Sequence, residues 1–172
     1  MTTGLPTAVA EEFESHDAYT VTGEAASVTT TTFEGTVVVA EADVEWAERY
    51  VVTVTVPTLS AAASDDVGSA VESGWLDTFE RRLEDAPKAT RASVDLEAFN
   101  VTASDGTVTV TYEFTSGSPA TAAGIAKTFV EYVEGTYVEG IVPGYDYQPP
   151  VSNLLQQAQS GGSEGERGGT PL

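Results

Sequence analysis

Few residues of this chain have the type and spacing to do chemistry. His16 is the only histidine, and Ser15 and Asp17 flank it. A Ser-His-Asp catalytic set needs three groups converging in space, which neighbours at a helix end do not supply. The plainer reading is an exposed histidine at the end of a helix. The run GGSEG at 161–165 matches the nucleophile-elbow pattern. It lacks the strand before and the helix after that would hold such a serine in a strained turn. Cysteine is absent, which removes disulfides, thiolate nucleophiles and Cys-ligated zinc. No glycine fingerprint for phosphate is present, so no cofactor is expected.

Two charged clusters remain. Glu131, Glu134, Glu139 and Asp146 lie among tyrosines. Glu131 and Glu134, three apart, could share a divalent cation through oxygen ligands or act as an acid and base pair. In a chain with 27 acidic residues the competing reading is a solvated face. Arg81, Arg82, Lys88 and Arg91 place four of the seven bases close together. They could grip a carboxylate or phosphate on a partner. They could equally offset the negative end of a helix dipole and pair with Glu80, Glu84 and Asp85. The inventory leans away from an enzyme.

The most distinctive stretch is FVEYVEGTYVEGIVPGYDYQPP, Phe129 to Pro150, with four of the seven tyrosines. Tyrosine combines a large contact area with a polar tip at low entropy cost. Tyr132, Tyr137, Tyr145 and Tyr147, with Arg81 and Arg82, are therefore the candidate binding residues. The helix in this stretch is expected to stop near Glu134, because Gly135 suits the position just past a helix end. An ordered strap follows it in that reading, with Tyr137 and Ile141 buried and Tyr145 and Tyr147 at its more accessible edge.

The elements that must position these groups follow from periodicity. Leu5, Val9 and Phe13 recur every four residues and predict a short helix ending near His16. Tyr19–Thr22 begins extended structure. Ser27–Phe33 and Thr36–Ala42 read as a hairpin turning at Glu34–Gly35. Trp46, Glu48, Tyr50, Val52, Val54 and Val56 alternate with Val51, Thr53 and Thr55 up to Pro57, which predicts a strand with one buried and one threonine-lined face. A helix over Val71–Glu84 carries Val71, Trp75, Phe79 and Leu83 at helical spacing. Trp75 and Phe79 are expected against the face bearing Tyr50, Val52 and Val54. Ser104–Asp105–Gly106 is a hairpin signal between two further strands. Ser116–Pro119 opens a last helix buried through Ala122, Ile125, Ala126, Phe129, Val130 and Val133.

The expected fold is α+β: one antiparallel sheet of five or six strands packed against helices, in the order α-β(3–4)-α-β(2)-α. That order resembles the topology of type III secretion chaperones, which implies a dimeric, protein-binding scaffold. Residues 1–155 are expected as one domain, and 156–172, rich in Gly, Ser and Glu, as a disordered tail.

The formal net charge is −20, and the acids are spread from Glu11 to Glu166 rather than blocked. A spread of this kind suggests adaptation to high salt, which screens self-repulsion. Nucleic acid and anionic membranes would meet a like-charged surface, so neither is expected as a partner. The first residues have neither the basic nor the apolar region of a signal peptide, and no apolar run reaches the roughly 20 residues that span a bilayer. The expected location is cytoplasmic. SGWLDTFERRLEDAP (Ser73–Pro87) and AKTFVEYVEGTYVEGIVPGYDY (Ala126–Tyr147) resemble a family of small acidic haloarchaeal proteins, a domain of unknown function. That resemblance implies habitat and domain extent but transfers no catalytic residue. The leading functional expectation is a non-enzymatic binding or scaffold module whose partner is another protein or a second copy. The alternatives are a small-molecule binder with a cleft between sheet and helices, lined by Trp46, Trp75 and tyrosines, or a carboxylate- or metal-dependent hydrolase.

Overall fold

The computed structural model describes residues 5–159 apart from 23, 41 and 43. Its centre is an open antiparallel sheet of six strands in the order β1-β2-β3-β4-β6-β5. The strands are β1 (Tyr19–Thr22), β2 (Ala25–Val28), β3 (Glu34–Ala40), β4 (Glu48–Pro57), β5 (Ala98–Ser104) and β6 (Thr107–Ser116). The helices are α1 (Thr7–Glu14), α2 (Leu59–Ala62), α3 (Ser69–Leu83), α4 (Pro119–Glu139) and α5 (151–159). The α+β expectation therefore holds, with the upper strand count.

Period-two patterning builds the sheet. Tyr50, Val52, Val54 and Val56 of β4 are buried, as are Val108, Val110, Tyr112 and Phe114 of β6. Register sets them side by side, Val52 against Tyr112 and Val54 against Val110. β5 and β6 are joined by Asp105 and Gly106, whose φ values are 54° and 80°. That pair of left-handed residues is what a tight two-residue hairpin needs, and Asp-Gly supplies it.

Helix α4 is the other half of the core. Ser118 caps it by accepting from the Thr121 amide at 3.2 Å, and Pro119 follows in the first turn. All six apolar residues expected on its inner side are buried. The helix sits so close to the sheet that a Cβ on Gly35 would lie 2.4 Å from Val130 Cγ1. Gly35 marks where the Val130 side chain of α4 takes the space that a strand side chain would fill.

Five local expectations need correction. The β2–β3 turn occupies residues 29–33, and Glu34–Gly35 lies inside β3. Four consecutive threonines have strand propensity, but the Glu134 carboxylate of α4 accepts from the Thr32 and Phe33 amides at 2.8 and 2.9 Å and holds the segment as a loop. Trp46 precedes β4 and is 74% exposed, its ring over Gly117 rather than in the core. Val71 is also exposed, because the first turn of α3 extends past the buried surface. Trp75 and Phe79 meet the Tyr137 ring of α4 edge-on, each at 5.7 Å, so their aromatic partner is a neighbouring helix. Finally, α4 runs through Gly135 and stops at Gly140. Glycine there costs about 1 kcal/mol of helix propensity, and burial of Tyr137 two residues later outweighs it.

Candidate functional site

Tyrosines bind the layers together through their tips. Tyr19 Oη donates to the Ala123 carbonyl at 2.5 Å, Tyr112 Oη to Leu83 at 2.8 Å, and Tyr137 Oη to Pro57 at 3.0 Å. Each bond joins elements distant in sequence. Tyr50 Oη is, among the described residues, the one buried side-chain polar atom without a partner. Burial, with a smaller contribution from Glu48, pushes the Tyr50 phenol up to about 12. Burial likewise raises Tyr19, Tyr112 and Tyr137.

These shifts have a pH consequence. In the unfolded chain tyrosine titrates near about pH 10. The folded values are higher, so their contribution to stability is complete below that pH and fades as pH rises through the folded values. Far-UV ellipticity is expected to fall cooperatively from about pH 10 upward, with tyrosinate absorbance rising in the same step. Smooth ionisation of all the tyrosines with the fold intact would contradict the burial.

Of the candidate binding residues, Tyr137 is wholly buried and forms part of the core. Tyr132 is partly buried and donates to the Arg82 carbonyl at 3.0 Å. Arg82 pairs with Glu139 at 2.6 Å, while Arg81 is exposed on α3. Lys88 pairs with Asp85 at 3.3 Å. Tyr145 and Tyr147 stand edge to face at 6.4 Å, both half-exposed, and Tyr147 Oη donates to the Val142 carbonyl. Ile141 is half-exposed as well, less covered than expected. The structure thus brings Arg82 and Tyr132 together and leaves Tyr145 and Tyr147 on the segment beyond α4.

That segment closes a cleft of about 260 Å³ between α3 and α4, walled by Gly74, Trp75, Phe79, Thr136 and Val142 with Arg82 at its side. It is the nearest counterpart of the expected small-molecule cleft, but it lies between two helices and Trp46 is not part of it. A second, wider groove of about 480 Å³ runs between α4, the 29–33 loop and α5, with Glu131, Glu134 and Glu139 along it. Its carboxylates are engaged. Glu131 takes Lys127 at 3.0 Å and the Thr30 hydroxyl at 2.6 Å, and Glu134 holds the two loop amides. Among the described residues no three His, Cys, Asp or Glu side chains are grouped to hold a metal ion. His16 Nδ1 accepts the Ala18 amide at 3.2 Å and its ring sits 5.2 Å from Tyr19, which makes it the closing piece of the α1–β1 turn. GGSEG lies outside the described residues. Among the described residues, no helix is long and apolar enough to cross a membrane.

A further continuous feature is the sheet face away from the helices. Register aligns Thr20, Ser27, Thr36, Thr53, Thr111 and Asn100 in one polar row across all six strands. Glu34, Thr55, Thr109 and Thr102 form the row on one side, and Val38, Val51, Glu113 and Ala98 that on the other. None of the outward residues of β3, β4 and β6 is buried. Among the described residues the six strands carry three of the chain's 27 acids, Glu34, Glu48 and Glu113. Glu113 is bonded to Arg49 at 2.6 Å, with Glu97 3.6 Å from the same guanidinium. Sequence alternation marks this face as threonine-lined. It cannot align the rows, because register is a property of strand pairs.

The family model that matches the chain is Family of unknown function (DUF5813), over residues 14–157. No curated protein and no solved structure matches.

Proposed function

The chain belongs to that family of unknown function, and we propose from its geometry that it is a non-enzymatic protein-binding module whose contact surface is the open sheet face. One observation carries the reading: a chain of net charge −20 places only two strand carboxylates on this face, Glu34 at its edge and Glu113 paired with Arg49, and crowds the rest onto helices and loops. Interface centres are depleted of charge relative to the remaining surface, and this face has that composition. Threonine supplies a methyl group for packing and a hydroxyl that both donates and accepts. The acid-rich remainder fits a cytoplasmic protein working at high salt, where screening spans only a few ångströms, about 3 Å at 1 M.

Capture from a high-salt extract of the source cells, with the tagged protein as bait, tests the reading. Thr53 lies at the centre of the face and is partly exposed. A Thr53→Glu bait is expected to fold normally and lose whatever the native bait retains, including an untagged copy of itself. Equal retention by both baits would place the contact elsewhere.

The α3–α4 cleft supports a second reading, a small-molecule binder, because apolar walls there meet one guanidinium. Arg82 already has Glu139 at 2.6 Å, so an anionic ligand would have to displace a pair that is in place. The sheet face asks for no such exchange.

A further inference from the structure

We propose that the occupant of the open face is a second copy of this chain, laid face to face and end over end across a two-fold axis. The inference rests on the protein-binding reading above and names the partner. Three observations converge on it.

The first is size. At about 4.8 Å between strands and about 3.4 Å per residue, the six strands offer roughly 700 Å² of face, or roughly 1,400 Å² for two copies, inside the range of stable interfaces. Stacked sheets pack at a spacing near 10 Å, which side chains the size of threonine and valine fill.

The second is row order. The row Val37, Val52, Tyr112 runs across the middle of β4 and β6 and points its side chains into the core. An axis along that row sets the Thr36–Thr53–Thr111 row of one copy opposite the Val38–Val51–Glu113 row of the other. Threonine methyls then meet Val38 and Val51, and Glu113 faces the hydroxyl of Thr111.

The third is charge. Glu34 opens β3 at one end of the face, and Arg49 lies at the other end, opposite Ala40 of β3. Turning one copy end over end sets each Glu34 opposite Ala40 of the partner subunit, one strand from the Arg49–Glu113 ion pair and away from the partner's Glu34. Stacking the copies in parallel would instead place Glu34 beside Glu34. Elsewhere the two molecules repel, since each carries −20. Association is therefore expected to need salt: the Debye length is about 30 Å at 0.01 M and about 3 Å at 1 M.

The chain has no cysteine, so introduced thiols report position without interference. The experiment combines light scattering on the full-length protein in dilute and molar KCl with cross-linking of Thr53→Cys by a short bis-maleimide. The expected result is twice the 17.9 kDa chain mass in molar salt and the single mass in dilute buffer. Thr53→Cys should cross-link to itself in molar salt, and Asp77→Cys, on exposed α3, should not. Thr53→Glu buries an unpaired carboxylate at the centre and is expected to weaken association by roughly a hundredfold or more. Circular dichroism of that variant separates lost pairing from lost fold. A single mass in molar salt overturns the self-association. So does a dimer that Thr53→Glu leaves intact, since its contact lies elsewhere. A monomer whose face still captures another protein, sensitive to Thr53→Glu, overturns this inference alone; a monomer with no such capture removes the protein-binding reading with it.

Discussion

Tyr137→Ala is expected to lower stability by about 3–5 kcal/mol, the range for removing a large buried aromatic. The ring touches Trp75 and Phe79 of α3, each at 5.7 Å, and Phe33 of the 29–33 loop at 4.9 Å. Its hydroxyl reaches the Pro57 carbonyl at the end of β4. One side chain thus joins α3, α4, the β2–β3 loop and the exit of the central strand. Truncation leaves a void among three rings from two elements that cannot collapse together without moving α3. Tyr137→Phe separates the contributions: it keeps the ring and removes the bond to Pro57, at a cost of about 1 kcal/mol. Urea unfolding of both variants, read by far-UV ellipticity, measures the difference. A loss below about 1 kcal/mol for Tyr137→Ala would mean that α3 docks through other contacts.

Tyr137 also shows where sequence reasoning loses its grip. Its burial is predictable from the aromatic and β-branched content around it. Its conformation is not, because Gly135 is a strong local stop signal and what overrides it is a cluster contributed by Trp75, Phe79 and Phe33, far away in the chain. The 29–33 loop repeats the lesson. Thr29–Phe33 reads as strand by propensity, and the carboxylate that holds it as a loop comes from Glu134, about a hundred residues later. Where one element carries its own signal, the reading survives. The inner faces of β4, β6 and α4 are written in periods of two and 3.6, and the Asp105–Gly106 turn in two residues. The candidate site divides along the same line. A threonine-lined face is visible in β4 alone. The six-strand polar row, and the scarcity of acids around it, exist only once register is set. The tyrosines drew attention as binding residues, yet Tyr137 and Tyr132 spend their hydroxyls on internal carbonyls. Composition cannot distinguish a tyrosine that binds a partner from one that fastens a helix.

Gly35→Ala should destabilise the fold by about 2–3 kcal/mol through overpacking, although alanine adds a single methyl. The added Cβ would lie 2.4 Å from Val130 Cγ1 and 2.8 Å from Cγ2, and both carbons belong to a fully buried branched side chain. Valine in a helix has one strongly preferred χ1 rotamer, so Val130 cannot swing aside cheaply. Relief has to come from α4 moving off the sheet, which would loosen Phe129 and Val133 on the same face. The double variant tests that cause. Val130→Ala alone should cost about 2 kcal/mol by leaving a cavity, and it also vacates the space that the Gly35 methyl needs. Gly35→Ala with Val130→Ala is therefore expected to cost about 1–2 kcal/mol less than the sum of the single changes, a coupling well above the scatter between independent sites. Strict additivity would place the damage of Gly35→Ala in β3 itself, and α4 would not be riding on the bare backbone of that strand.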